Sequence, residues 1–99
     1  MSSSAREGTD RTALRLAELN GVRRVVSTIG YAHIVVYERP GGERTLPPAQ
    51  RVALREALAG TPYDIDSYHV AEGEHLPASV ASYCADDELA VAIRVRPSA

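Results

Sequence analysis

The sequence predicts an α+β domain, a two-layer sandwich in which two main helices lie on one face of a mostly antiparallel sheet of four or five strands. Two observations predict this class. Strand-like segments outnumber long helical segments, and two of the strand-like segments follow each other with only a glycine between them, as in a hairpin. The 99 residues suffice for one domain, which we expect to span residues 9–97 behind a polar, disordered tail of residues 1–8.

The first predicted element is a helix that begins at Thr9 or Asp10, because either side chain can cap the first turn of a helix. Leu16 and Leu19 are among its apolar positions. The helix should end at Asn20-Gly21, since both residues tolerate the left-handed backbone conformation that is common at helix C-termini.

The strongest strand signal lies in residues 31–39, which follow the β-branched segment 22–29 across Gly30. Alternation assigns the side chains of this strand to two faces, with Ala32, Ile34 and Val36 on one face and Tyr31, His33, Val35, Tyr37 and Arg39 on the other. Because both faces are partly apolar, we expect the strand to lie at the centre of the sheet and not at its edge.

The second half of the chain predicts the remaining elements. A turn at Pro40-Gly41-Gly42 precedes a short third strand, and two prolines then open a helix that Gly60 ends. In chain order, these elements are a short strand at 43–46, a helix at 48–59, a strand at 65–71, a short helix at 77–84 and a strand at 89–96.

We expect these elements to form a loosely ferredoxin-like sandwich. The helices should cover the apolar sheet residues Ile34, Val36, Leu89, Val91 and Ile93. The opposite face would then be open, and it would carry the tyrosine, histidine and arginine side chains Tyr31, His33, Tyr37, Arg39, Arg94 and Arg96.

Composition excludes several classes of function. All eleven basic residues are arginine, which excludes a Schiff-base lysine and a P-loop lysine. The net charge of -2 argues against a strongly electrostatic nucleic-acid binder. The single cysteine excludes an intramolecular disulfide, and no apolar run approaches the ~20 residues that span a bilayer. We therefore expect a cytoplasmic protein without a membrane segment, and no cofactor.

The predicted open face is the first candidate site. The apolar core is thin, since the chain has no Phe and no Trp, and self-association commonly stabilises such domains. The first hypothesis is therefore a non-enzymatic interaction module that forms a homodimer, or binds a partner protein, through this face. The alternative is a regulator that binds nucleic acid or a small anionic ligand there, since these side chains stack on bases and pair with phosphate.

A third hypothesis, of low weight, is a metal- or thiol-dependent enzyme that uses His69, His75 and Cys84. The spacing of these residues matches no compact zinc signature. Cys84 falls near the end of a predicted short helix, where the helix dipole disfavours a thiolate, so the sequence favours a buried structural thiol.

Three charged pairs have weaker alternatives. Asp64 and Asp66 would share a strand face and could hold a divalent cation, although aspartates at such positions are more often turn residues. The pair Arg51/Arg55 shares a helix face and could meet phosphate, although such arginines are usually only solvated. The adjacent pair Arg23/Arg24 should point to opposite faces of a strand and form no common patch.

Overall fold

A computed structural model describes residues 4–28, 30–39, 44–71, 80 and 83–96 of the chain. The elements in chain order are α1 (Ser4–Ala17), β1 (Val22–Val26), β2 (His33–Glu38), α2 (Pro48–Leu58), β3 (Tyr63–Val70) and β4 (Glu88–Val95).

The four strands form one sheet in the order β1-β2-β4-β3, and every neighbouring pair is antiparallel. Strands β2 and β3 are both antiparallel to β4, so they run parallel to each other and are joined through α2. This is a split β-α-β unit with β4 inserted between its two strands. The predicted fold class is confirmed, since four antiparallel strands with two helices form an α+β arrangement that is compatible with a ferredoxin-like sandwich.

Several element boundaries differ from the prediction. Helix α1 begins at Ser4 and not at Thr9 or Asp10, because Ala, Arg and Glu at positions 5–7 favour helix as much as the residues that follow them. Residues 44–46 form no strand, and β1 ends at Val26. Most of the predicted helix at 77–84 lies outside the described residues.

Both helices pack on the same face of the sheet. Leu16 of α1 and Leu54 and Leu58 of α2 are buried against it. The sheet contributes alternate residues of the two central strands to this helix-side core, namely Val35, Tyr37, Leu89, Val91 and Ile93.

The predicted faces of β2 are wrong. Val35 lies opposite Val91 and Tyr37 opposite Leu89, and residues opposite each other in an antiparallel pair share a face. Val35 and Tyr37 therefore face the helices, together with His33, whereas Ile34 and Val36 face away from them. The alternation identified which residues share a face, but two apolar faces gave it no way to tell which face the helices cover.

The sheet face opposite the helices, which was predicted to be open, is covered at its centre. Val80 and Cys84, from the connection between β3 and β4, pack against Ile34, Val36 and Ala90, and all five residues are buried. The central strands thus have a core on each side. Among the described residues, no helix has the length and apolar character needed to cross a membrane.

Candidate functional site

The six predicted binding residues do not form one surface. His33 and Tyr37 lie in the helix-side core, where their side chains are 2% and 1% exposed. The ring of His33 packs edge-on against the ring of Tyr63, with 5.1 Å between the centroids. Burial lowers the pKa of His33 and, together with the nearby Tyr68 hydroxyl, raises the pKa of Tyr37 to about 12, so both are uncharged side chains of the core at neutral pH.

The other four residues are spread over the molecule. Tyr31 is half-buried against the cluster around Ile34, and Arg39 is buried with its Nη2 atom donating to the Asp86 carbonyl at 2.7 Å. Arg94 is exposed and forms an ion pair with Asp66 at 3.3 Å. Arg39 also lines a small cavity beside Leu46 and Gln50, and Arg96 borders a groove beside α2.

Arg23 and Arg24 meet at one carboxylate, contrary to the prediction. A β-bulge between Val22 and Arg24 interrupts the alternation of β1, so both guanidinium groups reach Glu88. Arg24 binds Glu88 through two hydrogen bonds of 2.7 and 3.1 Å, and Arg23 adds one of 3.0 Å. The site is an ionic anchor between β1 and β4.

Glu88 in this anchor is 3% exposed and still ionised. Burial alone would raise the pKa of its carboxyl group, but hydrogen bonds from Arg24, the Ala85 backbone N–H and Arg23 outweigh burial and hold the pKa at about 2. Because Glu88 already accepts these donors, its carboxylate serves to hold β1 against β4.

The residues of the third hypothesis do not assemble. Cys84 is buried, with its Sγ atom 3.5 Å from the Glu88 carbonyl oxygen, and burial raises the pKa of the thiol. His69 instead lies 2.7 Å from the hydroxyl of Ser67. His75 lies outside the described residues. Within the described ranges, no three His, Cys, Asp or Glu side chains are grouped to hold a metal ion.

A groove between α2 and the edge strand β3 is the best candidate site. Its volume is about 400 Å³, which lies within the range of small-molecule pockets. Its lining residues are two tyrosines, two arginines, one aspartate and three apolar side chains: Tyr63, Tyr68, Arg55, Arg96, Asp64, Leu58, Ala59 and Ile65. The groove therefore combines aromatic and aliphatic walls with a charged rim.

The elements beside the groove position these side chains. Tyr68 lies opposite Val91 in the sheet, and Ile65 lies opposite Ile93, so both point to the helix side of β3. Leu58 in the last turn of α2 closes the groove from the other side. Both tyrosines thus stand on a strand and Leu58 stands on a helix, and none of them lies on a loop, which is the arrangement of a preformed site.

The charges at the rim are not balanced. Arg96 Nε lies 4.0 Å from the Asp64 carboxylate, and its Nη2 atom donates to the Tyr63 carbonyl at 3.3 Å. Arg55 is exposed, and its side chain forms no hydrogen bond or ion pair with the described part of the chain. One guanidinium group at the rim is therefore available to an anion.

The free edge of β3 beside this groove is partly closed by side chains. The Tyr63 N–H donates to Thr61 Oγ1 at 3.3 Å, and the Ile65 N–H donates to Asp64 Oδ1 at 2.9 Å. The Tyr63 carbonyl accepts from Arg96. Because these backbone groups already have partners, this half of β3 is a poor template for an added strand, and a small molecule suits the groove better than a peptide.

The sequence-based interpretation missed most of this groove. Tyr63 was assigned to a connector, and the strand was started at Ile65, although Tyr63 and Ile65 already show the alternation of a strand. Arg55 was considered only in its pair with Arg51. A scan of protein-family models finds no match to the chain, and searches of curated proteins and of solved structures give no significant match.

Proposed function

We propose that this chain is a non-enzymatic, cytoplasmic binding module that takes a small anionic ligand into the groove between α2 and β3. One observation carries the proposal: the Arg55 guanidinium, without an intramolecular partner in the described structure, stands at the rim of a groove walled by Tyr63 and Tyr68. A guanidinium group binds carboxylate or phosphate in a fixed geometry, and tyrosine rings bind flat, partly apolar groups.

The size and charge of the groove favour a small ligand over a nucleic-acid strand. The volume of about 400 Å³ accommodates one ring system and its substituents. A strand of nucleic acid needs a basic path along several nucleotides, and the chain carries a net charge of -2. Binding to nucleic acid is the less supported form of this proposal.

Matched small probes test the proposal. In 1H–15N spectra of the full chain, we expect benzoate at millimolar concentration to shift amides of residues 55–68 and 96, and we expect benzamide and acetate to cause much smaller shifts. Benzoate combines the ring with the charge, whereas each of the other two probes lacks one of them. Equal shifts from benzamide and benzoate, or shifts spread over the whole surface, would contradict the proposed site.

A variant pair links this binding to the rim charge. Arg55→Ala removes an exposed side chain that has no described partner, so the fold should be unaffected, and benzoate affinity should fall about 10-fold, as expected for the loss of one charge-assisted hydrogen bond. Arg11→Ala, at another exposed arginine that lies on α1, is the control and should bind benzoate as the parent chain does. Unchanged affinity in Arg55→Ala would rule out this groove.

Self-association is a second proposal, and one observation favours it. Leu14 of α1 and Val52 of α2 are 64% and 55% exposed, each on the side of its helix that faces away from the sheet. Contact surfaces gather exposed apolar side chains, and each helix of this layer presents one to solvent. We therefore propose the helix layer as the dimer surface in place of the sheet face, whose centre is covered.

A further inference from the structure

We propose that the ligand of the groove is a phosphate ester of an aromatic compound, such as a nucleoside monophosphate, with its phosphate held between Arg51 and Arg55. This inference rests on the proposed function and names the ligand class for the same site. It depends on a second cavity that adjoins the groove and on the charges that the two cavities share.

Arg55 lines both cavities. The second cavity has a volume of about 240 Å³ and is lined by Pro48, Arg51, Val52 and Arg55. It lies on the outer side of α2, whereas the groove lies between α2 and β3. A ligand that reaches past Arg55 therefore leaves an aromatic environment and enters a basic one.

Arg51 and Arg55 form a pair that an anion would stabilise. They are four residues apart on α2, so their side chains stand over the same face about 6 Å apart at Cβ. Like charges at this spacing are mildly destabilising, and neither side chain has a hydrogen-bond or ion-pair partner in the described part of the chain. An anion bound between them would offset the repulsion between the two positive charges and supply hydrogen-bond acceptors to both guanidinium groups.

The phosphate group fits this pair better than a carboxylate does. A carboxylate offers two oxygens and one charge, which a single guanidinium satisfies. A phosphate monoester offers three terminal oxygens and a charge of about -1.5 to -2 at pH 7, which is enough for two guanidinium groups. The aromatic part of the ester would then occupy the groove between Tyr63 and Tyr68.

Four probes and two variants test this ligand class by calorimetric or NMR titration of the full chain. We expect adenosine monophosphate to bind at least 10-fold more tightly than adenosine or inorganic phosphate, since each of these lacks one half of the ligand. Arg51→Ala should lower the affinity for adenosine monophosphate about 10-fold and leave the affinity for benzoate unchanged. Arg11→Ala should change neither affinity.

The outcomes separate this inference from the proposed function. If benzoate binds at the groove but adenosine monophosphate binds no more tightly than adenosine, the proposed ligand class is wrong. The proposal that the groove binds a small anion is then retained. If Arg51→Ala lowers the affinity for benzoate as much as the affinity for adenosine monophosphate, or lowers neither, the proposed position of the phosphate is wrong. If neither benzoate nor adenosine monophosphate binds, both proposals fail. An unchanged melting temperature in each variant would confirm that a loss of binding is not a loss of folding.

Discussion

Two buried ionisable residues, His33 and Glu88, are accommodated in opposite ways. The His33 ring nitrogens have no hydrogen-bond partner in the described structure, so the ring stays neutral and acts as an aromatic side chain against Tyr63. Glu88 is charged because two guanidinium groups and a backbone N–H surround its carboxylate. His33 can therefore be buried because its ring is uncharged, and Glu88 can be buried because its charge is paired.

We expect these two residues to make the fold sensitive to acid in two steps. In both, the folded state binds protons less readily than the unfolded state, so the free energy of unfolding falls as the pH falls. His33 contributes as the pH drops below its unfolded value of 6.5, and Glu88 contributes between 4.5 and about 2. The Glu88 step amounts to about 3 kcal/mol, since one pKa unit corresponds to about 1.4 kcal/mol. Urea unfolding from pH 8 to pH 2 measures both steps.

Two variants assign the steps. His33→Phe keeps the ring contact with Tyr63 and has no group to protonate, so the decline between pH 7 and pH 5 should be weaker than in the parent chain. Glu88→Gln leaves Arg24 without its carboxylate and should destabilise the fold by about 3 kcal/mol or more at pH 7, with little further loss toward pH 3. A parent chain whose stability does not change between pH 7 and pH 3 would contradict the assignment of both residues.

At the residue scale, the sequence predicts burial better for some side chains than for others. Cys84 was expected to be a buried thiol, and it is. His33 and Tyr37 were expected to point outward because the helices were assigned to the face of Ile34 and Val36, yet the rings of both lie in the core. A ring with one or two polar atoms is compatible with either environment, and the neighbours that decide between them come from helices remote in sequence.

At the element scale, a glycine with positive φ follows each helix and allows the chain to turn toward the next strand. Gly21 follows α1 with φ of +88°, and Gly60 follows α2 with φ of +78°. The end of α2 just before Gly60 could be predicted, because glycine adopts this conformation without steric cost. Helix α1 ends at Ala17, earlier than the predicted stop at Asn20-Gly21. The surroundings of the two glycines differ: Gly60 has open space around it, whereas Gly21 lies against Gln50 and Tyr37.

We expect Gly21→Ala to cost more stability than Gly60→Ala. Both changes place alanine at positive φ, at a cost of about 1–2 kcal/mol. At Gly21, the new methyl group would also displace the Gln50 amide, whose Nε2 donates to the Asn20 carbonyl at 3.0 Å, and the lost hydrogen bond adds about 1 kcal/mol. Urea unfolding of both variants measures the difference.

The Gln50→Ala background is the control for this difference. Without the Gln50 amide, the new methyl group at position 21 no longer has its closest neighbouring atom. The loss of stability caused by Gly21→Ala should therefore fall to that caused by Gly60→Ala. Equal costs for the two glycine variants in the parent chain would show that the contact with Gln50 is unimportant.

Element boundaries were predicted less well than the elements themselves. Strand β3 begins at Tyr63, two residues before the prediction, because the pairing of Tyr63 with Val95 extends the strand beyond what its own sequence indicates. The bulge at Arg23 brings two arginines to one glutamate, and strict alternation cannot anticipate it. Both errors arise where pairing with a distant strand decides the local structure.

At the scale of the whole molecule, the strand order determines where the candidate groove lies. The hairpin of β1 and β2 is local and could be predicted, whereas the insertion of β4 between β2 and β3 depends on contacts between distant parts of the chain. This insertion makes β3 an edge strand and places α2 beside it, which creates the groove. The groove therefore could not be predicted from the residues that line it.

The two edges of the sheet also limit how copies of the chain can associate. Strand β1 is five residues long and bulged, and the first half of β3 is closed by its own side chains. These features are typical of edges that avoid pairing with other chains. The centre of the second sheet face is covered as well, and these observations support the proposal that a dimer would form through the helix layer.

We expect self-association through the helix layer to be weak and dependent on concentration, since Leu14 and Val52 together offer much less apolar area than a stable dimer buries. Light scattering after size exclusion should give a mass that approaches twice that of the chain at high micromolar concentration. Leu14→Glu combined with Val52→Glu should restore the monomer, because charges buried at a contact are costly. Val95→Glu, at an equally exposed valine at the end of β4, should leave the association unchanged. A monomer at every concentration would exclude the dimer, and a dimer that survives the double change would place the contact outside the helix layer.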